Sequence, residues 1–291
     1  MSLSGFIVID KPVGPTSHDV VGRVRRLSGV RRVGHAGTLD PLASGVLLVG
    51  LGRATRFIEY LVGLPKVYET TIRLGVATTT YDAEGEIVSE RPVALTLDEI
   101  AAALDAFRGP IRQRVPAFSA VKRDGQPLYK QARRGETPDL PERDVTIYEL
   151  EMLAWESPDL TLRVAASSGT YIRSLAHDLG QALGPGGHIT ALRRTAVGEF
   201  TVAEAVTLDA LTPDNVAGFL RPPELAVAHL PRATFNDEEE ARLGNGRRVA
   251  APGDVASGEA AAFGPGGRFL GIVAVEEGEW RPRKMIAGSA E

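Results

Sequence analysis

Hydrophobic and polar positions change their spacing several times in the first part of the chain. The apolar run at residues 6–9 predicts a buried strand, and apolar residues then recur at positions 20, 21, 24 and 27, as on one face of a helix. Thr16 and Asp19 have the spacing of a capping box, so the helix is predicted to begin there. Glycine-punctuated residues 34–45 predict a loop, and the apolar residues 46–51 a second strand.

In the middle of the chain, the spacing of apolar and polar residues predicts strands and helices in mixed order. Residues 68–76 alternate as a strand does, and residues 82–85 are typical of a hairpin turn. A second capping box at Thr96 and Glu99 predicts a helix that continues to Phe107. Residues 110–143 are rich in Arg, Lys, Gly and Pro, which favours an insertion carrying a short helix near residues 128–134.

The next elements lead towards a change in composition. Strands are predicted at residues 145–153 and 160–167, and a helix begins near residues 168–173 and ends at Gly184. Another strand is predicted at residues 194–201. Beyond the prolines at positions 222, 223 and 231, short apolar stretches alternate with glycine-rich turns, which indicates a small β-rich module. Because 291 residues exceed one typical core, two domains are expected.

Composition narrows the class of protein. An apolar fraction of 43% and a charged fraction of 24% are ordinary for a globular chain. The absence of cysteine excludes disulfides, thiolate chemistry and cysteine-bearing metal sites. The first residues lack the basic region and long apolar stretch of a signal peptide, so we expect a cytoplasmic protein with no membrane association.

Charge is unevenly distributed. The net charge is −4, yet residues 1–75 contain ten Lys and Arg residues against five acidic ones, so this segment carries +5. Binding of nucleic acid depends on where charge lies rather than on its total. The basic first segment, together with Arg133–Arg134 and Arg193–Arg194, is therefore a candidate for contacts with phosphates.

Few side chains are candidates for catalysis or substrate binding, and each of them could instead have an ordinary structural role. Asp40 precedes a proline, which holds it extended, but Asp-Pro pairs are also ordinary turn formers. Arg173 in the first turn of a helix calls for an acidic partner or a phosphate unless it is simply solvated. Tyr68 and Tyr171 could stack on a base or belong to the core. His35 has no second ligand at metal spacing, so no metal site is expected.

Motifs for cofactors are missing. The chain has no complete dinucleotide fingerprint, no phosphate-binding loop ending in Gly-Lys-Ser/Thr, and no nucleophile elbow. We therefore expect chemistry that needs no cofactor. A second carboxylate beside Asp40, which glycosidase chemistry would need, cannot be placed from the sequence.

At these residues the chain resembles the TruB family of pseudouridine synthases. Residues 5–17 are similar to the family's first motif, and Gly34-His-Ala-Gly-Thr-Leu-Asp-Pro-Leu-Ala-Ser-Gly45 is similar to its catalytic motif. Residues 66–69, 168–173 and 189–194 resemble later family segments in the same order. The resemblance implies an α+β (α/β) chain with the pseudouridine synthase fold, in which a mixed, mainly antiparallel central sheet is flanked by helices and loops.

The resemblance also implies a division into domains. Residues 1–228 would form the catalytic domain, with the TruB-type insertion at about residues 90–143. Residues 229–288 resemble a PUA module, a small β-rich RNA-binding domain.

Roles for individual residues follow from the resemblance. Asp40 would be the catalytic aspartate, Tyr68 would stack on the target uracil, and Arg173 would pair with Asp40. Further residues would contact or support the substrate: Tyr171 and Leu192 by lining the pocket, His35 by supporting the flipped-out RNA, and Lys11 and Pro12 by buttressing the site. The implied substrate is the T-stem-loop of tRNA, whose uridine at position 55 would be isomerised by a monomer without cofactor or obligatory protein partner.

Two other functions remain open. One is the catalytic subunit of a guide-RNA pseudouridylation particle, although residues 118–135 resemble the insertion of stand-alone bacterial enzymes. The other is a non-catalytic tRNA-folding chaperone, for which a basic surface and an RNA-binding module would suffice.

Overall fold

The computed structural model describes residues 3–119, 122–123, 126–127, 134, 140–253 and 255–286. The helices are α1 (Ser17–Ser28), α2 (Ile58–Val62), α3 (Leu97–Asp105), α4 (Ile172–Leu183) and α5 (Asp237–Gly244). The strands are β1 (Gly5–Lys11), β2 (Val33–Ala36), β3 (Ala43–Leu51), β4 (Lys66–Leu74), β5 (Val76–Thr78), β6 (Ile87–Glu90), β7 (Gly109–Arg114), β8 (Lys122–Arg123), β9 (Gln126–Pro127), β10 (Glu142–Glu156), β11 (Asp159–Ala166), β12 (Gly187–Val197), β13 (Phe200–Thr201), β14 (Val206–Thr207), β15 (Arg232–Thr234), β16 (Val249–Ala250), β17 (Gly258–Phe263), β18 (Phe269–Glu276) and β19 (Glu279–Met285). Apart from position 134, the short helix expected near residues 128–134 lies outside the described residues.

A mixed sheet forms the centre of the fold. Its strand order is β14-β1-β3-β12-β4-β11-β10-β7, with β2 added to β3 and β13 to β12. The pairs β1–β14 and β3–β12 are parallel, and the remaining pairs are antiparallel. The expected mixed, mainly antiparallel sheet is therefore confirmed. Helices α1, α3 and α4 contribute apolar side chains to the core on one side of this sheet.

Both predicted capping boxes begin helices. The Thr16 hydroxyl accepts a hydrogen bond from the Asp19 amide at 3.1 Å, and the Thr96 hydroxyl accepts one from the Glu99 amide at 3.3 Å. These bonds satisfy amide groups that have no partner inside the first turn of a helix. Because the caps are local in sequence, the helix starts were readable without any tertiary information.

Several predicted boundaries were wrong where pairing with a distant strand decides the structure. The loop expected at residues 34–45 is shorter, since His35 pairs with Val49 in β2–β3 and residues 43–45 already belong to β3. The strand expected at residues 194–201 begins earlier, at Gly187. Residues 109–114, for which no strand was expected, form β7 and pair with β10 at the edge of the central sheet, while the insertion at about residues 90–143 stays a prediction.

A second sheet follows near the C-terminal end, in the strand order β15-β17-β18-β19-β16. It shares a core with the first sheet, where the rings of Phe57 and Phe269 lie 5.4 Å apart. Arg53 and Arg56 donate hydrogen bonds of 2.8 and 2.7 Å to the carbonyl oxygens of Ile286 and Met285. The β-rich module thus packs against the part of the chain that forms the central sheet, while the division at residue 228 stays a prediction. No helix in the described ranges combines the length and apolar character needed to span a bilayer.

Candidate active site

A cavity of about 270 Å³ opens where β4 and β12 meet the beginning of α4 and the loop between β2 and β3. Its lining residues are Gly37, Thr38, Leu39, Asp40, Val62, Lys66, Tyr68, Ser119, Gly169, Thr170, Tyr171, Ile172, Arg173, Leu192 and Arg194. The structure thus brings together five of the eight site residues expected from the sequence.

Asp40 is presented to the cavity by a loop whose backbone is tied down on both sides. The buried Ser17 hydroxyl accepts a hydrogen bond from the Leu39 amide at 2.8 Å and donates one to the Leu39 carbonyl at 3.0 Å. After Asp40, the Ala43 amide donates to the Asp40 carbonyl at 3.0 Å. The Asp40 side chain keeps 37% of its surface exposed, so a substrate can reach the carboxylate.

Arg173 lies next to Asp40 and is held by several acceptors. Its Nη2 is 3.0 Å from Asp40 Oδ2 and donates to the Phe118 carbonyl at 2.8 Å. Its Nη1 is 3.2 Å from Asp82 Oδ2 and donates to the Thr80 carbonyl at 3.2 Å. The guanidinium is buried, and each of its five donors has a fixed direction, so these acceptors determine how it faces Asp40.

Asp82 is a site residue that the sequence analysis missed. It does lie in the predicted turn, since β5 and β6 pair on either side of it, but only 3% of the residue is exposed. Its Oδ1 also accepts a hydrogen bond from the Glu84 amide at 3.1 Å. The position of Arg173 predicts an acidic partner or a phosphate, but nothing in the local pattern distinguishes a buried turn aspartate from a solvated one.

Tyr68 and Leu192 project from the neighbouring strands β4 and β12, and each is 9% exposed. Tyr171 lies just before α4, where its backbone exchanges two hydrogen bonds with the side chain of Gln113, at 3.0 and 3.3 Å. Burial raises the pKa of the Tyr171 phenol, so it stays protonated at neutral pH. The cavity therefore has aromatic and aliphatic walls around one carboxylate.

Lys66 and Arg194 are buried cations that also line the cavity and were not singled out as site residues. The ammonium of Lys66 donates hydrogen bonds to the carbonyl oxygens of Val62 and Leu64. Burial, reinforced by the nearby charge of Arg194, lowers the pKa of Lys66 to about 8. Both side chains thus end at protein groups rather than in solvent.

The contacts of Arg194 differ from those expected from the sequence. Arg193–Arg194 was a candidate for phosphate contacts, but Arg194 donates to the carbonyl oxygens of Val46 at 2.7 Å and Gly37 at 3.1 Å. Arg193 is paired with Asp10 at 2.8 Å. Gly45 packs directly on this arrangement, because a Cβ atom there would lie 2.1 Å from the Arg194 carbonyl oxygen. Arg194 therefore supports the Asp40 loop as a buried side chain of the cavity wall.

The remaining predicted site residues lie outside the cavity lining. Lys11 is fully buried, and its ammonium donates to the carbonyl oxygens of Pro12 and Pro15 at 2.8 Å each. Burial lowers the pKa of Lys11 to about 8, although the negative charge of Asp40 opposes this shift. Pro12 is exposed beside it. His35 lies edge-on to His18, with ring centroids 5.3 Å apart, and burial followed by the charges of His18 and Arg194 lowers its pKa.

Comparison with known proteins identifies the family of this chain. Residues 25–172 match the TruB family pseudouridylate synthase N-terminal domain, and residues 173–223 match the tRNA pseudouridylate synthase B C-terminal domain. The chain belongs to the TruB family. The tRNA pseudouridine synthase B of Thermobifida fusca is 49% identical over 98% of this chain and 99% of its own. The protein of the same name from Pseudomonas aeruginosa is 44% identical over 98% and 96%.

Solved structures show the same fold in larger assemblies. A chain of a Cbf5-Nop10-Gar1 complex is 31% identical, with a TM-score of 0.73 over 93% of this chain and 78% of that chain. A chain of an H/ACA RNP bound to a substrate RNA containing 2′-deoxyuridine is 28% identical, with a TM-score of 0.74 over 99% and 85%. These likenesses agree with the resemblance seen in the motifs.

The two TruB segments meet inside the cavity. Asp40, Tyr68 and Tyr171 belong to the first matched segment, and Arg173 and Leu192 belong to the second. The cavity of this TruB chain is therefore built from side chains that are distant in sequence, such as Asp40 and Leu192, which lie 152 positions apart. Across the described residues, no three His, Asp or Glu side chains cluster as ligands of a metal would.

Proposed function

We propose that this TruB protein is a tRNA pseudouridine synthase that isomerises the T-loop uridine at position 55. The observation that carries the proposal is the 3.0 Å contact between the accessible carboxylate of Asp40 and the buried guanidinium of Arg173 in a cavity walled by Tyr68 and Leu192. Membership of the family and the names of its near full-length relatives support the reaction and the substrate.

The reaction is an isomerisation, so one carboxylate suffices for its bond changes. The bond between ribose C1′ and uracil N1 breaks, the base turns within the cavity, and C1′ bonds to C5. The hydrogen of C5 leaves as a proton and N1 gains one, so no electron donor or acceptor is required. Asp40 acts on the nucleoside as nucleophile or base, and Arg173 orients its carboxylate through the ion pair.

The target base must leave its stack to reach Asp40, at a cost of about a few kcal/mol. The ring of Tyr68 would offset part of this cost by stacking on the uracil, while Tyr171 and Leu192 line the other walls. His35 would support the flipped-out RNA, and Lys11 and Pro12 would buttress the site from outside the cavity lining. T-loop nucleotides suit such a site, because unpaired bases in RNA loops are already partly splayed.

Exposed arginines in and after α1 would contact the phosphates of the tRNA stem. Arg25, Arg26, Arg31 and Arg32 are all exposed on this part of the surface. Contacts of this kind release counterions, so the affinity for tRNA should fall steeply with salt concentration. The C-terminal β-rich module would act as a PUA domain and extend this RNA contact.

We further propose that the enzyme acts as a cytoplasmic monomer without an obligatory protein partner or cofactor. The rival assignment to a guide-RNA particle draws support from the two solved complexes, one of Cbf5, Nop10 and Gar1 and one an H/ACA RNP. The high identity to whole tRNA pseudouridine synthase B chains favours the stand-alone reading. A function as a tRNA-folding chaperone alone would require that the protein bind RNA without turning it over.

The decisive experiment measures tritium release from C5-labelled uridine in unmodified tRNA transcripts, using the purified protein alone in EDTA. A matched transcript carries cytidine at the T-loop target. Release that disappears with this replacement is the expected result and supports a stand-alone T-loop synthase that needs no added metal. Tight binding without release from either transcript would contradict the proposal and favour the guide-dependent subunit or the chaperone.

A further inference from the structure

Two neighbouring residues of the hairpin turn contact two residues that lie one helical turn apart on α4. Asp82 Oδ2 is 3.2 Å from Arg173 Nη1. Directly before it, the ring of Tyr81 stacks on the ring of His177, with centroids 3.9 Å apart and planes inclined by 17°. Residues four positions apart in a helix share one face, so the turn meets α4 at two points along a single face.

Tyr81 has a backbone conformation that aromatic residues rarely adopt. Its φ angle is +64°, in the left-handed region where a bulky side chain is strained. Such strain persists only where the surroundings determine the conformation, and it concentrates at functional sites. Here the surroundings are the stacked His177 ring and the Ile189 amide, which donates to the Tyr81 carbonyl at 3.1 Å.

The backbone of the turn is tied to β12 through the Ile189 amide, and the Tyr81–His177 stack ties its side chains to α4. Together with the Asp82–Arg173 ion pair, the stack gives the turn two side-chain contacts 4 residues apart on the helix. His177 Nδ1 is buried without a hydrogen-bond partner among the described residues, so this ring nitrogen does not fix the orientation of the ring. Burial lowers the pKa of His177, and the ring therefore stacks as a neutral group at neutral pH.

We infer that Tyr81 and His177 are a positioning pair, which holds Asp82 against Arg173 so that the guanidinium faces Asp40 in the geometry that turnover requires. Neither ring lines the cavity. The pair acts on the reaction through the Thr80 carbonyl and the Asp82 carboxylate, both of which contact Arg173 Nη1. The inference rests on the proposed function, because it assigns these residues to the same site.

The test uses single-turnover tritium release and the Kd for unmodified tRNA. Tyr81→Gly removes the ring and at the same time relieves the strained backbone, so the fold is retained. His177→Ala removes the other ring, and the double variant measures whether the two act together. Tyr81→Phe keeps the stack, and Leu183→Ala truncates a half-buried side chain at the far end of α4 as a control for lost stability.

We expect Tyr81→Gly and His177→Ala each to slow the single-turnover rate about 10-fold while the Kd changes by less than about twofold, since small misplacements of reacting groups cost this much or more. The double variant should be no slower than the slower single variant. Tyr81→Phe should retain the wild-type rate, and Leu183→Ala should lower Tm without slowing turnover.

Three outcomes would overturn the positioning pair: a wild-type rate for Tyr81→Gly, losses that multiply in the double variant, or a Tyr81→Phe rate as slow as that of Tyr81→Gly. If the wild-type protein itself released no tritium from the T-loop substrate, the proposed function would fail instead. The two failures are therefore distinguishable in one set of measurements.

Discussion

The Ser17 hydroxyl and the Leu39 backbone exchange two hydrogen bonds, at 2.8 and 3.0 Å. Ser17 is the first residue of α1, and Leu39 directly precedes Asp40. Ser17 is fully buried, so neither bond competes with water. This side chain attaches the loop that carries Asp40 to the capped helix α1. The position of Asp40 therefore depends on the beginning of α1.

Ser17→Ala should destabilise the protein and slow turnover together. The substitution leaves the amide and carbonyl of Leu39 buried without these partners, which costs about 1–3 kcal/mol for each group. We expect a free energy of unfolding lower by about 2–6 kcal/mol and a single-turnover rate lower by about tenfold. Denaturant unfolding and tritium release measure the two effects. Ser28→Ala, at the other end of α1, is the control and should change neither by much.

Asp40→Asn should bind tRNA with an almost unchanged Kd but lose at least about 1,000-fold in turnover. The amide keeps the shape of the side chain and removes the nucleophile or base. Filter binding and tritium release separate the two properties. The control is Asp159→Asn, which removes an equivalent carboxylate paired with Arg73 outside the cavity and should stay active. An active Asp40→Asn variant would remove Asp40 from the mechanism.

Asp82→Asn should slow the single-turnover rate by about 10- to 100-fold with little change in the Kd. The amide cannot balance the buried charge of Arg173, so the guanidinium loses one of the contacts that orient it. Losing one partner of a buried ion pair also costs about 3–5 kcal/mol of stability, which a thermal melt would detect. Glu84→Gln changes an exposed acid of the same turn and should have no comparable effect. Equal rates for both variants would argue against a role for Asp82.

Lys66→Met should change how stability depends on pH. The folded-state pKa of Lys66, about 8, lies below the ordinary value of 10.5, so between these values the unfolded chain binds more protons than the folded one. The wild-type protein should therefore gain stability relative to Lys66→Met as the pH rises from 8 to 10.5, by up to about 3 kcal/mol. Below about pH 7 the difference in unfolding free energy between the two proteins should stay constant. Lys11 titrates similarly in both proteins and cancels from the comparison.

Denaturant unfolding of both proteins at pH 6.5, 8, 9 and 10 would check this expectation. A constant difference across the series would contradict the lowered pKa of Lys66. A difference that shrinks towards high pH would mean that the charged form is favoured in the folded state, with the sign of the shift reversed.

Elements that depend on neighbours in sequence were predicted well. The capping boxes at Thr16 and Thr96 begin α1 and α3, and the apolar stripe at positions 20, 21 and 24 is the buried face of α1. The alternation from Tyr68 to Leu74 became β4 with its even positions buried. Strand ends were less accurate, because β2, β7 and β12 are bounded by partners such as Val49 that lie elsewhere in the sequence.

By itself the sequence determined the family, since short motifs are local in sequence. Through that resemblance it also predicted the kind of sheet and the identity of the candidate carboxylate. Only the tertiary structure decided which groups surround that carboxylate. Asp82 became a partner of Arg173, and Arg194 became a buried support of the Asp40 loop instead of a phosphate contact. The physical reason is that burial and ion pairing are created when β4, β12, α4 and the hairpin turn close around one cavity, and no local pattern records which distant charges will meet there.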